Sequence, residues 1–411
     1  MVDLPRFAFR SRNRFAAAAA ALLCCVASPV LAQEGQENIV ISAAYTADVA
    51  GVVDGGAKRG ARYLDNVDIV ADLDLDGLVG WSGAKAHFYF LNNLGGRPND
   101  LAGTVQGVDN IEVGRRRAKL YEAWVEQSFL ADRAALLVGF YDLNSEFYAN
   151  DASGLLIAPP FGIGSELAAT GPNGPSIFSS TALAARLRMT VGKGYAMAAV
   201  FNAKAGSIGD RGGVDTSFND GVLAIAEAGH AIDGGKLAIG AWTYSKRQLR
   251  FDADLFTPPL PNRRSHGAYV LAEARLAGTD ESRAVTGFVR AGLSDGRTSP
   301  FKGGWQTGLL IDRVFAGRPD SQFSIGIAHA YLSSAYRRTA PAGSPRFKGT
   351  ETGFEITYSD RVLPFLTLQP DVQYIRNPAG DRSLGDAVVL GLRATFAFDF
   401  AWSGKSAGHG R

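Results

Sequence analysis

The sequence predicts an all-β protein, a transmembrane antiparallel β-barrel of about 16 strands with a long third outer loop that folds inward. The first observation is a series of segments of about ten residues in which apolar and polar residues alternate, bounded by Gly, Asn, Asp or Pro. The second is that the connections between these segments are long and short in turn. The third is that, after the N-terminal region, no segment approaches eighteen uninterrupted apolar residues, so no transmembrane helix is predicted.

The clearest alternation lies in residues 119–129. One face carries Glu122, Trp124 and Glu126, and the other carries Tyr121, Ala123 and Val125. A helix would also place Glu122 above Glu126, but the same period of two returns in most later segments and favours a strand. A strand with carboxylates and an indole on one face and small apolar residues on the other is typical of a wall between water and hydrocarbon.

Sixteen segments follow this pattern along the chain. They begin near Val40, Val67 and Ala84, and continue as 119–129, 134–143, 182–191, 195–202, 221–230, 236–245, 267–277, 284–293, 304–312, 322–332, 351–359, 364–374 and 386–399.

The length of each connection depends on whether the strand before it is odd- or even-numbered. Those after odd-numbered strands are long (48–66, 93–118, 144–181, 203–220, 246–266 and 333–350), and those after even-numbered strands are short, such as 130–133 and 192–194. A soluble sandwich has no reason to sort its loops in this way. An outer-membrane barrel has short turns on the periplasmic side and long loops outside, and its closure pairs the backbone groups that hydrocarbon cannot solvate.

The predicted faces agree with this interpretation. In 182–191, Arg186 and Arg188 share the face opposite to Leu183, Ala185, Leu187 and Met189. In the last strand Val388, Leu390, Leu392, Phe396, Phe398 and Phe400 are predicted to face outward, and Arg393, Thr395 and Asp399 inward. Tyr121, Trp81, Phe400 and Trp402 are candidates for the aromatic girdles at the membrane interfaces.

The N-terminus has the features of a secretory signal. Four arginines precede an apolar run from Phe15 to Val26, and a small-residue cleavage site ends at Ala32. We therefore expect a cleaved signal peptide over 1–32, a barrel over 33–402 and a short polar tail over 403–411. Cleavage would remove Cys24 and Cys25 and change the formal net charge from +2 to about −1, a balance that does not suggest nucleic acid.

Other motifs point to no cofactor, no metal and no enzyme. Residues 72–77 resemble the start of a calcium loop, but Gly83 stands where a bidentate Glu is required. The segment 161–164 lacks the third glycine of a dinucleotide site. The five histidines have no partner at metal spacing, and nothing supports a Ser/His enzyme with His87 or His329 as base. The run 115–117, three arginines on an outer loop, is expected to meet lipopolysaccharide phosphates or to be solvated.

Taken together, a set of motifs resembles the carbohydrate-selective porins of the OprB type. They are residues 63–66 (YLDN), 90–93 (FLNN), 106–112 (QGVDNIE), 120–127 (LYEAWVEQ), 138–147 (VGFYDLNSEF), 161–164 (FGIG) and 174–178 (GPSIF) running into 181–188 (TALAARLR). The resemblance is dense in the first half of the mature chain, and the second half matches mainly in pattern and length. It implies a sixteen-stranded monomer or weak oligomer that admits monosaccharides, with arginines and glutamates at the eyelet, here Arg186, Arg188, Glu122 and Glu126.

The longest connection, residues 144–181, is stiffened by proline and glycine and follows the fifth strand, so it is the third outer loop. In sixteen-stranded porins this loop folds into the barrel and narrows it. We therefore predict a constriction lined by Arg186, Arg188, Glu122, Glu126, Trp124 and Asn92. Guanidiniums and carboxylates around an aromatic platform suit the vicinal hydroxyls and the C–H face of a sugar. The alternative is an ion-pair lattice that stiffens the wall.

These features predict an outer-membrane porin of a Gram-negative bacterium for facilitated diffusion of carbohydrates, monosaccharides such as glucose, into the periplasm. The expected partners are sugars, outer-membrane lipids and lipopolysaccharide, and the barrel-assembly machinery, with no nucleic acid. An unselective general diffusion porin and a barrel acting as surface adhesin or anchor are the alternatives.

Overall fold

The fold was determined as a computed structural model that describes residues 38–114, 117–279, 281–339 and 347–402. The predicted signal peptide, the polar tail and the first two arginines of the run 115–117 lie outside these residues. The described chain forms one closed antiparallel barrel in which each strand pairs with its neighbours in sequence and β1 also pairs with β16. The sixteen strands are β1 (Ile39–Gly56), β2 (Gly60–Asp74), β3 (Ala84–Gly95), β4 (Arg117–Phe129), β5 (Ala134–Tyr141), β6 (Ala182–Val191), β7 (Gly194–Asn202), β8 (Val222–Ile232), β9 (Gly235–Gln248), β10 (Arg263–Ala277), β11 (Ala284–Ser294), β12 (Phe301–Asp312), β13 (Gln322–Leu332), β14 (Thr350–Leu363), β15 (Leu366–Arg376) and β16 (Gly385–Trp402).

The helices are short and lie in the connections. They are α1 (Leu75–Val79), α2 (Asn99–Ala102), α3 (Ser165–Ala168) and α4 (Ser334–Thr339), with 3₁₀ turns at Leu143–Ser145, Asp151–Ser153, Pro159–Phe161, Ala253–Leu255 and Pro378–Gly380. No helix among the described residues has the length and apolar character needed to cross a membrane.

Closure depends on the register of the first strand. Ile39 pairs with Trp402 on one side and with Leu73 on the other. The barrel therefore has no open edge, and the backbone hydrogen bonds of the wall are made between strands.

The sixteen predicted strands are confirmed, but the predicted long loop after the first strand is wrong. β1 ends at Gly56 and β2 begins at Gly60, so only residues 57–59 lie between them. The glycines and charges of this stretch resemble a loop in sequence, yet Val52 pairs with Gly60 and Asp54 forms an ion pair with Arg59 at the exposed end of the hairpin.

The outer face is apolar and carries aromatic residues near its ends. Phe400, Trp402 and Trp81 are 63 %, 57 % and 50 % exposed, as expected for girdle residues. The prediction for Tyr121 is wrong, because this side chain is buried and its hydroxyl donates to Asp142 at 2.6 Å. In the β3–β4 register Tyr89 faces Glu122 and Phe90 faces Leu120, so Tyr121 is the extra residue of a β-bulge. A bulge breaks the alternation that assigned Tyr121 to the outer face.

Candidate constriction site

The third outer loop, residues 142–181, lies against the inner faces of strands far from its own ends. Carboxylates of the wall accept its backbone N–H groups: Tyr148 donates to Glu227 at 2.9 Å, Ala152 to Glu273 at 3.1 Å and Ala158 to Glu355 at 2.9 Å. The Gln369 amide of β15 donates to the Leu155 carbonyl at 2.7 Å. Because these wall residues belong to β8, β10, β14 and β15, the loop extends inside the barrel from β5 to the far wall.

Arg290 of β11 holds the middle of the same loop. Its side chain is fully buried, and its guanidinium donates to the carbonyls of Tyr148 at 3.2 Å, Gly162 at 2.8 Å and Pro160 at 2.7 Å. The guanidinium carbon also lies 5.4 Å from the centre of the Tyr148 ring. A buried guanidinium that is not bonded would be costly, so these contacts favour one position of the loop.

Inward-facing glycines of the wall make room for the loop. A Cβ at Gly292 would lie 1.9 Å from the Glu166 carboxylate and 2.7 Å from the Tyr148 hydroxyl. That hydroxyl donates to Glu166 at 2.8 Å. Burial raises the pKa of Glu166, an effect that the Tyr148 hydrogen bond and Arg290 oppose.

Four charged side chains meet where the loop leaves β5. Arg186 donates to Glu126 at 2.8 Å and to Glu146 at 2.7 Å, and Arg188 donates to the other oxygen of Glu146 at 2.8 Å. The Tyr141 hydroxyl also donates to Glu146. These residues come from β4, β5, β6 and the first turn of the loop, so the cluster ties the loop to the adjoining strands of the wall.

Arg186 and Arg188 differ in how much of the guanidinium remains accessible to solvent. The Arg186 side chain is only 4 % exposed and its guanidinium is shared by two carboxylates, whereas the Arg188 side chain is 43 % exposed. Arg186 therefore acts mainly as a bridge inside the cluster. Arg188 keeps guanidinium N–H groups that a solute in the water-filled interior can reach.

Glu122 and Trp124 lie beside this cluster on β4. Glu122 is buried and accepts the Trp124 indole N–H at 3.2 Å and the Asp142 backbone N–H at 3.0 Å. The Trp124 ring stacks on His87 with ring centres 4.8 Å apart, and His87 is bonded to Asp72 at 2.7 Å. Glu122 thus positions the start of the loop, and its hydrogen bond together with the stack on His87 fixes the orientation of the Trp124 ring.

Asn92 is not part of the cluster. It lies on the face of β3 that carries Phe90 and Leu94, which are 39 % and 46 % exposed, and it pairs with Val67. The next residue, Asn93, points inward and donates to Asn66 at 2.5 Å. The structure therefore places Asn92 on the outer surface of the wall.

Two contributors to the cluster were missed in the sequence, Glu146 and Tyr141. Glu146 follows β5 in a turn, where no alternation assigns a face to a side chain. Tyr141 ends β5 with its hydroxyl on Glu146 and its ring 5.8 Å from the Arg186 guanidinium carbon. A carboxylate shortly after a strand that ends in tyrosine was the available signal.

A second charged cluster joins β1, β16 and the second outer loop, which the structure describes over residues 96–114. Arg393 donates to Asp48 at 2.7 Å and to Asn110 at 2.7 Å, and it lies 3.6 Å from Asp109. Burial and the nearby Asp48 raise the pKa of Asp109, while Arg393 opposes the shift. This cluster brings a second loop against the inner wall.

Comparison with known proteins identifies the family. The family profile described as "Carbohydrate-selective porin, OprB family" matches residues 58–398. The chain belongs to this porin family. Together with the closed barrel and its apolar outer face, membership places this porin in the outer membrane of a Gram-negative bacterium.

Individual relatives are distant. Porin B of Pseudomonas aeruginosa is 25 % identical over 149 residues, which are 32 % of this porin and 33 % of Porin B, so the match spans about a third of that relative. The high-pH structure of Pseudomonas putida OprB superimposes with a TM-score of 0.77 at 19 % identity, covering 88 % of this chain and 94 % of that chain. The outer-membrane channel DcaP of Acinetobacter baumannii gives a TM-score of 0.56 at 10 % identity, covering 88 % and 97 %. The two structures share the barrel fold with this porin.

Proposed function

We propose that this porin admits small carbohydrates, monosaccharides such as glucose, by facilitated diffusion, with Arg188, Glu126 and Glu146 beside Trp124 as the selective part of its path. The observation that carries the proposal is that charged donors and acceptors and an aromatic ring adjoin one another inside the barrel where the third loop begins. Planar donors and acceptors match vicinal hydroxyls, and a ring face matches the C–H surface of a sugar. The family's description as carbohydrate-selective supports the same substrate class.

The third outer loop narrows the bore in this proposal. The wall carboxylates Glu227, Glu273 and Glu355 and the buried Arg290 fix it by its backbone, so the free cross-section lies between the loop and the remaining wall. A passage bounded by fixed groups selects by size and by hydrogen bonding without covalent chemistry.

The outer surface contacts lipid, and the assembly machinery reads the last strand. Phe398 and Phe400 are 43 % and 63 % exposed on the outer face of β16, where an aromatic signal would be presented.

Swelling of liposomes that contain the purified porin tests the function. We expect glucose to enter faster than a disaccharide and faster than a neutral amino acid of similar size. Equal entry of all three would indicate an unselective porin, and entry of none would indicate an adhesin or anchor.

Replacing Arg188 with alanine is expected to weaken glucose binding in the channel by about tenfold, since loss of one hydrogen bond from a charged donor costs roughly 1.5 kcal/mol. Glucose-induced noise in the ionic current through planar bilayers measures this affinity. Arg188→Gln keeps amide donors without the charge, so its glucose affinity should lie between those of wild type and Arg188→Ala. Unboiled samples that migrate like wild type in a denaturing gel show that the barrel of the variant is folded. Wild-type glucose affinity in Arg188→Ala would show that Arg188 is not part of the sugar path.

A further inference from the structure

The hairpin of β9 and β10 extends beyond the strands on either side of it. Pairing of β9 with β8 ends at Tyr244, and pairing of β10 with β11 ends at Gly267. The two strands continue to pair with each other as far as Gln248 and Arg263. Arg264 therefore lies about 10 Å along the strand beyond the last residue paired to β11, at about 3.4 Å per residue.

The outward face of this hairpin changes character from the barrel towards its tip. The pair Val270–Ile239 is apolar, with side chains 51 % and 60 % exposed. The pairs that follow are Ala268–Ala241, His266–Thr243 and, beyond a register shift that places residues 244–246 opposite Ser265, Arg264–Arg247. On β10 Ser265 is buried and both of its neighbours are exposed, so Arg264 lies on the same outward face as His266. This order, from apolar through polar to cationic, is that of a membrane leaflet from acyl chains to phosphate groups.

The two arginines at the end of this series face each other directly. Arg264 is the register partner of Arg247, and both are exposed. Like charges directly opposite on paired strands are destabilising. Neither guanidinium is within ion-pair distance of a carboxylate among the described residues.

The carboxylates of the hairpin do not neutralise this pair. Between Lys246 and Arg264 the chain carries five cationic residues and two carboxylates. One of the two, Asp252, is buried and bonded to Arg250 at 2.9 Å and Arg338 at 2.6 Å. The hairpin tip thus keeps an excess of positive charge, and Arg247 and Arg264 are exposed within it.

We propose that Arg247 and Arg264 bind the phosphate of an anionic glycolipid in the outer leaflet. A guanidinium offers two parallel N–H donors that match phosphate oxygens, and two of them from adjacent strands can hold one phosphate from both sides. The apolar pairs below Arg247 and Arg264 would contact the acyl chains of the same lipid. This site is independent of the sugar path, because it lies on the outer face of the barrel.

Lipid retained by the full-length porin in neutral detergent tests the proposal, with native mass spectrometry as the readout. The probes are diphosphorylated lipid A, its dephosphorylated form, and sodium phosphate as a competitor. We expect wild type to retain the diphosphorylated lipid over the dephosphorylated one, and Arg247→Ala/Arg264→Ala to weaken this preference at least about tenfold. Arg382→Ala, which removes an exposed arginine from the loop after β15, should leave it unchanged.

Two further results distinguish a bound glycolipid from free phosphate and from simple charge attraction. Arg247→Lys/Arg264→Lys keeps the charge without the planar fork and should retain part of the preference. Equal retention by wild type and the alanine double variant would overturn the proposal, as would displacement of the lipid by millimolar phosphate, which would indicate a site for free phosphate. Wild-type conductance of the double variant shows that its barrel is folded.

Discussion

Replacing Arg290 with alanine is expected to raise the single-channel conductance at least about twofold, because the substitution leaves three loop carbonyls without their buried donor. Each lost hydrogen bond from a charged group costs roughly 1.5–3 kcal/mol. The Arg290 guanidinium bonds Tyr148, Pro160 and Gly162, which lie along the part of the third loop that reaches the far wall. Without it, the position of the loop inside the barrel is no longer uniquely favoured, and the open cross-section increases.

Planar-bilayer recordings in about 1 M KCl measure this change. High salt reduces surface-charge effects, so that conductance reports the cross-section. Arg290→Lys retains the charge and can reach one of the carbonyls, so it should give a smaller increase. Limited proteolysis offers a second readout, since a released loop becomes accessible in folded barrels. Unchanged conductance together with an uncleaved loop would show that Arg290 is not needed to hold it.

Substitutions at two glycines of the barrel wall, Gly292 and Gly353, also test how the third outer loop is held inside the barrel. A side chain at Gly292 would meet the Glu166 carboxylate and the Tyr148 hydroxyl, whereas nothing lies within 4 Å of a Cβ at Gly353. Gly292→Val should therefore displace the loop and raise conductance as Arg290→Ala does, and Gly353→Val should not. If both valine variants conduct like wild type, the contacts around Gly292 do not position the loop.

The strands of this barrel were predictable because each has one wet and one apolar face. The predicted segments 182–191 and 322–332 coincide with β6 and β13 as observed. Alternation fails where one strand gains an extra residue and where a strand end is rich in glycine and charged residues. The bulge at Tyr121 is the first case, and the glycine-rich ends of β1 and β2, which form a hairpin instead of a loop, are the second.

The candidate site was predictable only on the strands. Arg186, Arg188 and Glu126 were assigned inward by period two and do meet. Glu146, which joins them, lies in a loop, where position along the chain does not predict direction. Asn92 was assigned to the site from a motif and not from a face. The role of Arg290 depends on where the third loop lies inside the barrel. The alternation of apolar and polar residues along a strand does not predict the position of a loop.

Replacing Glu146 with glutamine is expected to shift the selectivity of the pore towards anions by roughly fivefold, the effect of ~1 kcal/mol on relative permeation. Glu146 accepts hydrogen bonds from both Arg186 and Arg188. Its neutralisation leaves Arg186 with Glu126 alone and leaves Arg188 with no carboxylate among the ion pairs of the cluster. The proposed path then gains one uncompensated positive charge in a confined, partly buried position, where screening by salt is weaker than at an open surface.

The reversal potential across a KCl gradient measures this selectivity, and the shift should grow as the salt concentration falls. Asp54→Asn is the matched control, because Asp54 also pairs with an arginine but its side chain is 65 % exposed at the rim of the β1–β2 hairpin. Adding Arg188→Gln to Glu146→Gln should return the reversal potential towards that of wild type, since the charge balance of the cluster is restored. A Glu146→Gln pore with wild-type selectivity, or one that favours cations more strongly, would place this cluster outside the path of the permeating ions.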